Sequence, residues 1–549
     1  MTDRDGLYGI PKHIGACVAA GIDPILGVEL AVLDEDGSVG GRVVVLAHGH
    51  NQGAGYAALC RLVSAAHARK TVAVTRSEIT AHLVTDAGPV GTVLLGPLSN
   101  VGLKVGTRGD GMALMEQWLA VLPREALRVE VVSHLSAPGL PFSHTHATRM
   151  LRLAGRAQVK AVLSNAVRYV LPDGAITADI LDAVRALRRL DETGVQPTAQ
   201  AWLKPGPMMQ ALALEIAAVG QAGAAAAKAL LAETQMLADR CRIDPVSDAG
   251  WGVPVMPEAS IIGITSDPLS VLWERARAGT NRLYTGAGTA ALEVVESRLR
   301  LEMDTIADLG FASYFLTVAE VARLIRDMGI RSAARGSGAG SLVNYALGIS
   351  FVDPIRHDLL FERFLSTRRR TLPDVDIDVE SARRHDIYHE IFRRFGPERV
   401  TLMSMQSGYR ARGAARDAGM VLGMDPDDID GIAKNLWRFS ASHFREAMAE
   451  KPELRDLAER VEGSRQLDLL RRTRQTQRCP GSRAPRAGQM PVHPARLPPP
   501  VRHRPRQPRP ADPHRRCSPW APGRTDDARL RDRLPGRRHP PLPGTPRRP

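Results

Sequence analysis

Cysteine is scarce in this 549-residue chain: the five present, Cys17, Cys60, Cys241, Cys479 and Cys517, include no CxxC pair. That spacing gives neither a thiolate zinc site nor a disulfide framework, and it suits reduced thiols inside a cell. No apolar run approaches the roughly 18 residues needed to span a bilayer, and no leader with an apolar segment opens the chain. A soluble, cytoplasmic protein with no membrane partner is expected. Lysine is missing altogether from residues 471–549, where 21 arginines and 19 prolines face only 4 aspartates, a net of +17. The whole chain carries +14, so residues 1–470 hold −3, and the basic excess says nothing about a nucleic-acid cleft in the folded part. A tail of that composition without apolar periodicity cannot bury a core, and residues 471–549 are expected to be disordered.

The most informative stretch is Thr371-Leu-Pro-Asp-Val-Asp-Ile-Asp-Val-Glu380. A strand places alternate residues on one face, so Asp374, Asp376 and Asp378 would line one side while Val375, Ile377 and Val379 line the other. Neighbouring like charges repel, and a divalent cation with a taste for hard oxygen ligands, such as Mg²⁺, offsets this. The competing reading is a solvated acidic edge strand. Upstream, Ala334-Arg-Gly-Ser-Gly-Ala-Gly-Ser-Leu-Val343 places Gly336, Gly338 and Gly340 with Ser337 and Ser341 ahead of a helical run. Small residues and free N–H groups at a helix start make an anion cradle, although a loop of this kind is also a common flexible connection. Between the two lies Asp358-Leu-Leu-Phe-Glu-Arg-Phe-Leu365, read as an apolar helix carrying Arg363. A cradle, an arginine and paired carboxylates are the parts that two-metal phosphoryl transfer requires.

The run from Arg335 to Asp378, with RGSGAGSLV, VDPIRHDLLFERFL and LPDVDID, resembles the palm of the bacterial C-family DNA polymerases, the family of the DNA polymerase III alpha subunit. The resemblance implies an α/β multidomain protein that extends primer-template DNA from dNTPs with Mg²⁺. It makes Asp374 and Asp376 the metal-holding catalytic acids and Asp378 a supporting group. Arg335, Gly336, Ser337, Gly338, Gly340, Ser341 and Arg363 would handle the triphosphate. The late start and compact N-terminal half lean toward the error-prone branch of the family. Full-length members also imply a sliding clamp or mutagenesis accessory proteins as partners.

Within residues 1–245, residues 1 to about 175 alternate strand-like runs, Pro24–Leu33, Val43–Ala47, Thr92–Leu95, Val129–Val132 and Val159–Ser164, with helix-like ones, which suggests a parallel α/β sheet or barrel. His48, His50, His134, His144 and His146 with Asp3, Asp5 and Glu29 make a metal site worth testing, with His144-Thr-His146 on a strand or in a surface loop. The region resembles a PHP-like (β/α) barrel with a degenerate metal site. Arg4 stands where the family has a histidine, and Ser164-Asn-Ala-Val-Arg-Tyr169 puts Ala166 and Arg168 in place of an Asp-x-His pair. Phosphoesterase activity is therefore not expected. Residues 176 to about 245 read as helical, with strong helix formers in Ile180–Leu190 and Met208–Arg240.

Residues 246–405 are expected to form a partial palm, nucleotidyltransferase-like and α+β, and 406–470 a helical thumb. In the latter, Arg410, Arg412 and Arg416 recur at helical spacing, to track a DNA backbone or to form a solvated basic face. The acidic stretch Asp425–Asp430 should face away from DNA. After Leu470 the resemblance stops, and no KxDxLG-like strand with a third catalytic aspartate follows. The tail reads either as a basic nucleic-acid arm or as out-of-frame translation. The alternative to an active, if impaired, polymerase is a remnant that binds DNA or nucleotide without catalysis.

Overall fold

The computed structural model describes residues 1–435 apart from 108, 194–195, 254, 367–373, 397–398 and 401–407, with the backbone alone at Ile432 and Asn435. The expectations for Pro373, for most of a strand at Val400–Met403, for residues 436–470 and for the Arg/Pro-rich tail lie outside the described residues.

The N-terminal half is built on β1 (Thr2–Arg4), β2 (Gly27–Leu33), β3 (Val39–Ala47), β4 (Val74–Thr75), β5 (Val84–Thr85), β6 (Gly88–Pro89), β7 (Gly91–Leu95), β8 (Leu127–Val131) and β9 (Ala161–Leu163). A seven-stranded sheet runs in the order β1-β2-β3-β7-β8-β9 with β4 joined to β2, while β5 and β6 pair with each other. The expected strands are present, but the all-parallel pattern is not: β3 runs antiparallel to both β2 and β7. The turn between β2 and β3, Asp34–Ser38, is too short for the helical crossover that a parallel neighbour needs. Among the described residues no pairing joins β1 to β9, so the strands form an open mixed sheet.

Helices cover both faces. On one, Val28, Leu30, Val43, Val45, Val93 and Val129 pack against Leu59 and Leu62 of the helix Ala54–His67 and against Met115, Trp118 and Met150. Farther along that face Val131 and Leu163 meet Leu212 and Ile216, and on the other Leu94 meets Leu237. The helical stretch Met208–Arg240 is divided between two helices, Gly206–Val219 and Gly223–Arg240, with Gln221 at a left-handed φ of 53° between them. His144 and His146 open the helix His144–Ala157 instead of a strand, with Ser143 accepting the His146 N–H at 3.2 Å as its cap.

The C-terminal half has its own core. Leu272, Leu299, Met303 and Phe315, from the helices Pro268–Leu283, Thr289–Asp308 and Ala312–Asp327, enclose Leu342, Phe361 and Phe364. On its flank β10 (Ser332–Arg335) and β11 (Asp376–Val379) pair antiparallel. Beyond them come the helices Arg384–Phe395, Ala411–Val421 and Pro426–Asn435. Ile180 of the helix Ala175–Ala186 packs on Ala418, so the N-terminal half touches the Ala411–Val421 helix.

Candidate active site

On β11 the period of two holds. Asp374, Asp376 and Asp378 are exposed, whereas Val375, Ile377 and Val379 are half-buried against Ala319, Ala322, Ile325 and Ile387. The register sets Arg335 opposite Asp376, so the chain leaves β10 at the carboxylates and curls at once into the 3-10 turn Gly336–Gly340. Gly336 permits this curl by its φ of +75°, and a Cβ there would lie 3.6 Å from Oδ2 of Asp376. The side chain of Val375 would be 3.7 Å from a Cβ on Gly338. Cradle and carboxylates, about forty residues apart in sequence, are thus adjacent in space. Asp378 is engaged by Arg335, Nε to Oδ2 at 3.3 Å, with both side chains exposed. Ser337 is exposed at the turn.

The segment expected as a helix from Asp358 to Leu365 is only a 3-10 turn, Phe361–Arg363, since Asp358 sits at a φ of 48° and interrupts the helical path. The turn buries Phe361 and exposes Arg363, and it packs against the cradle. A Cβ on Gly340 would be 3.0 Å from the Leu360 carbonyl oxygen. Arg298 fastens the two turns by donating from Nη2 to the carbonyls of Gly340 (3.0 Å) and Leu359 (2.8 Å).

The expectation of free N–H groups at the helix start is corrected here. Leu342–Ala346 spans five residues, and its first N–H groups are used: the carboxylate of Glu302 accepts from Leu342 N at 2.9 Å and Val343 N at 3.1 Å. Ser341 is fully buried, donating its hydroxyl to Glu302 at 2.8 Å and accepting the Asn344 N–H at 3.1 Å. It ties the cradle to the core and does not line it. Burial pushes the Glu302 carboxyl up, while those donors and Arg298, at 2.7 Å, pull it back.

Three residues escaped the sequence reading. Glu302 and Arg298 are four apart on one helix, which was the available signal for the pair, but nothing local pointed to their cradle contacts. Tyr314 is the third. Burial pushes its phenol up, Val375 hydrogen-bonds it through the backbone, and the charges of Asp374 and Asp376 raise it further.

Arg412 and Arg416 are exposed on the Ala411–Val421 helix, with Arg410 at its N-cap, while Ala411, Ala415 and Ala418 form the buried face. Arg416 pairs with Asp430 at 3.0 Å, and Lys434 pairs with the same acid at 2.8 Å. Asp430, at the end of the acidic stretch, therefore packs beside the basic helix.

The N-terminal histidines do not converge, and no cluster of three or more metal-ligating side chains occurs among the described residues. His48 lies between the Pro89 carbonyl (2.9 Å) and the Thr92 hydroxyl (2.8 Å), His134 meets the Asn165 carbonyl, and His146 the Gly102 carbonyl. Asp5 and Glu29 are instead neutralised by guanidinium groups. Arg42 contacts both at 2.5 Å, Arg185 reaches Asp5 at 2.8 Å and Arg4 reaches Glu29 at 3.3 Å. Charges that a cation would balance are already balanced, and the donors present do not fit a metal there. On β11 the fit is different. Asp374, Asp376 and Asp378 are exposed carboxylates on one side of the chain, hard oxygen ligands of the kind a divalent cation takes.

Residues 270–487 match the family model of the bacterial DNA polymerase III alpha NTPase domain. Over most of its length the chain is similar to proteins named error-prone DNA polymerase. That of Pseudomonas paraeruginosa (strain PA7) is 31% identical across 80% of this chain and 39% of the relative. That of Symbiobacterium thermophilum is 31% identical across 83% and 41%, and that of Anaeromyxobacter sp. (strain K) 30% across 79% and 42%. The chain spans about two fifths of the length of the relatives it matches.

Proposed function

Taking the chain as a relative of the bacterial C-family DNA polymerases on their error-prone side, we propose that its function is template-directed nucleotidyl transfer from dNTPs onto primer-template DNA. The observation that carries this is the adjacency of the acid strand, through Asp376 and Val375, to the Gly336–Gly340 turn. In this reading the N-terminal half is a PHP-like remnant, β10 and β11 belong to a partial palm, and the helices after residue 410 belong to a thumb. No single helix among the described residues is long and apolar enough to cross a membrane, and we place the chain in the cytoplasm.

Asp374 and Asp376 would hold Mg²⁺, which, when bound, supplies charge neutralisation for the transferring phosphoryl group and lowers the pKa of the attacking hydroxyl. Backbone N–H groups of Gly336 to Gly340 and the Ser337 hydroxyl offer donors to the triphosphate, and Arg335 and Arg363 bring positive charge to it. Attack of the primer 3′-oxygen on the α-phosphorus forms one P–O bond and breaks the α–β bridge, releasing pyrophosphate. Arg410, Arg412 and Arg416 would run along the DNA backbone, Arg416 giving up Asp430 to do so. Two carboxylates on a single strand hold two ions poorly, so we expect weak extension. Clamp or accessory partners belong to the same proposal.

Primer extension with Mg²⁺ tests it. Wild type should extend a primer, and Asp374→Ala combined with Asp376→Ala should abolish extension with the fold intact. A second reading, a remnant that binds DNA or nucleotide without extending it, draws on Ser341 and the helix-start N–H groups being consumed by Glu302. Binding without aspartate-dependent extension would favour that reading and overturn the first.

A further inference from the structure

A second basic site lies in the N-terminal half, away from the acid strand. The helix His144–Ala157 carries Arg149, Arg152 and Arg156 along one face, and they border a cavity of about 390 Å³. Its size falls within the roughly 300–1,000 Å³ of small-molecule sites. Val105 and Leu153 give it an apolar floor, and the Gly109–Gly111 segment forms the far wall.

The three guanidinium groups are not equivalent. Arg156 is held by Asp110 through two bonds of 3.1 and 2.9 Å, and Arg152 donates to the Gly220 carbonyl at 3.1 Å. Arg149 differs, because its Nη1 is sealed from solvent and has no hydrogen-bond partner. Three positive charges against the single carboxylate of Asp110 leave the cavity cationic. Like charges three and four residues apart on a helix repel, and a buried donor without an acceptor is costly. An oxyanion seated in the cavity relieves the repulsion. Guanidinium groups bind phosphate through paired N–H donors and stack on planar rings, which the apolar floor would also accept.

We propose that this cavity binds a small phosphomonoester of the nucleoside monophosphate class, with Arg149 and Arg152 on the phosphate and Val105 and Leu153 under the base or sugar. The proposal does not depend on polymerase activity, and dAMP is a probe that lacks the triphosphate the acid-strand site is built for.

Calorimetric titration of the full chain with dAMP, deoxyadenosine and inorganic phosphate is the test. Binding of dAMP at least tenfold tighter than either fragment is expected. Arg149→Met combined with Arg152→Met should weaken it at least tenfold, and Asp374→Ala with Asp376→Ala should leave it unchanged. Since the arginine variant can fail to fold, the wild type is also treated with phenylglyoxal, and the Arg149–Arg156 peptide is read by mass spectrometry. Protection of Arg149 by dAMP supports the site. Phosphate binding as tightly as dAMP, no protection, a response to the acid-strand variant, or binding of single-stranded oligonucleotide but not dAMP would each overturn it.

Discussion

Glu302 has no access to solvent, yet it accepts from Ser341, from two backbone N–H groups and from Arg298. Removing one partner of such a buried pair costs about 3–5 kcal/mol, because the remaining charge is left uncompensated. Glu302→Leu should therefore lower unfolding free energy by that order in urea titration, whereas Glu296→Ala, half-buried on the same helix and paired with Arg277 and Arg300, should change it by about 1 kcal/mol or less. His48 gives a pH signature. Burial, with Arg240 nearby, pushes its imidazole down to about 4 from the usual 6.5. The unfolded chain then binds the proton first as pH falls. The contribution of neutral His48 is complete above pH 6.5 and declines toward pH 4, by about 3 kcal/mol in all. Urea midpoints measured from pH 7 to 4.5 should fall less steeply in His48→Gln than in wild type.

At the level of elements, the β11 alternation was legible because a period of two needs only its own residues: Asp374, Asp376 and Asp378 outward, Val375 and Ile377 inward. The fate of the helix start at Leu342 was not legible, because the acid that consumes its N–H groups lies 40 residues earlier. Likewise the strand-and-helix rhythm of residues 1–175 revealed its strands but concealed the direction of β3, which the length of one turn decides. The cradle offers a sharp test. Gly336 is left-handed, so Gly336→Val costs about 1–2 kcal/mol in backbone strain and also sets carbon atoms beside Asp376. Its dNTP affinity, measured by fluorescence titration, should fall at least tenfold while the melting temperature drops by only a few degrees.

For the molecule as a whole, the contact of Ile180 with Ala418 joins the N-terminal half to the basic helix. Ile180 is buried, and Ile180→Ala should cost about 2–4 kcal/mol. Hydrogen exchange should then quicken across Ala411–Val421 and stay unchanged in β2 and β3, which lie in a separate core. Equal acceleration everywhere would mean that the contact couples nothing in particular.

The pairing of Arg335 with Asp376 carries a genetic corollary. Because side chains along a strand swap sides at every step, inserting one amino acid early in β11 would turn the acids toward Ala319 and the valines toward water. Two inserted amino acids would restore the sidedness but offset the acids along β10. Length changes in this neighbourhood should thus follow an odd-even rule, with odd insertions harming folding and even ones sparing it while moving the acids away from the Gly336–Gly340 turn.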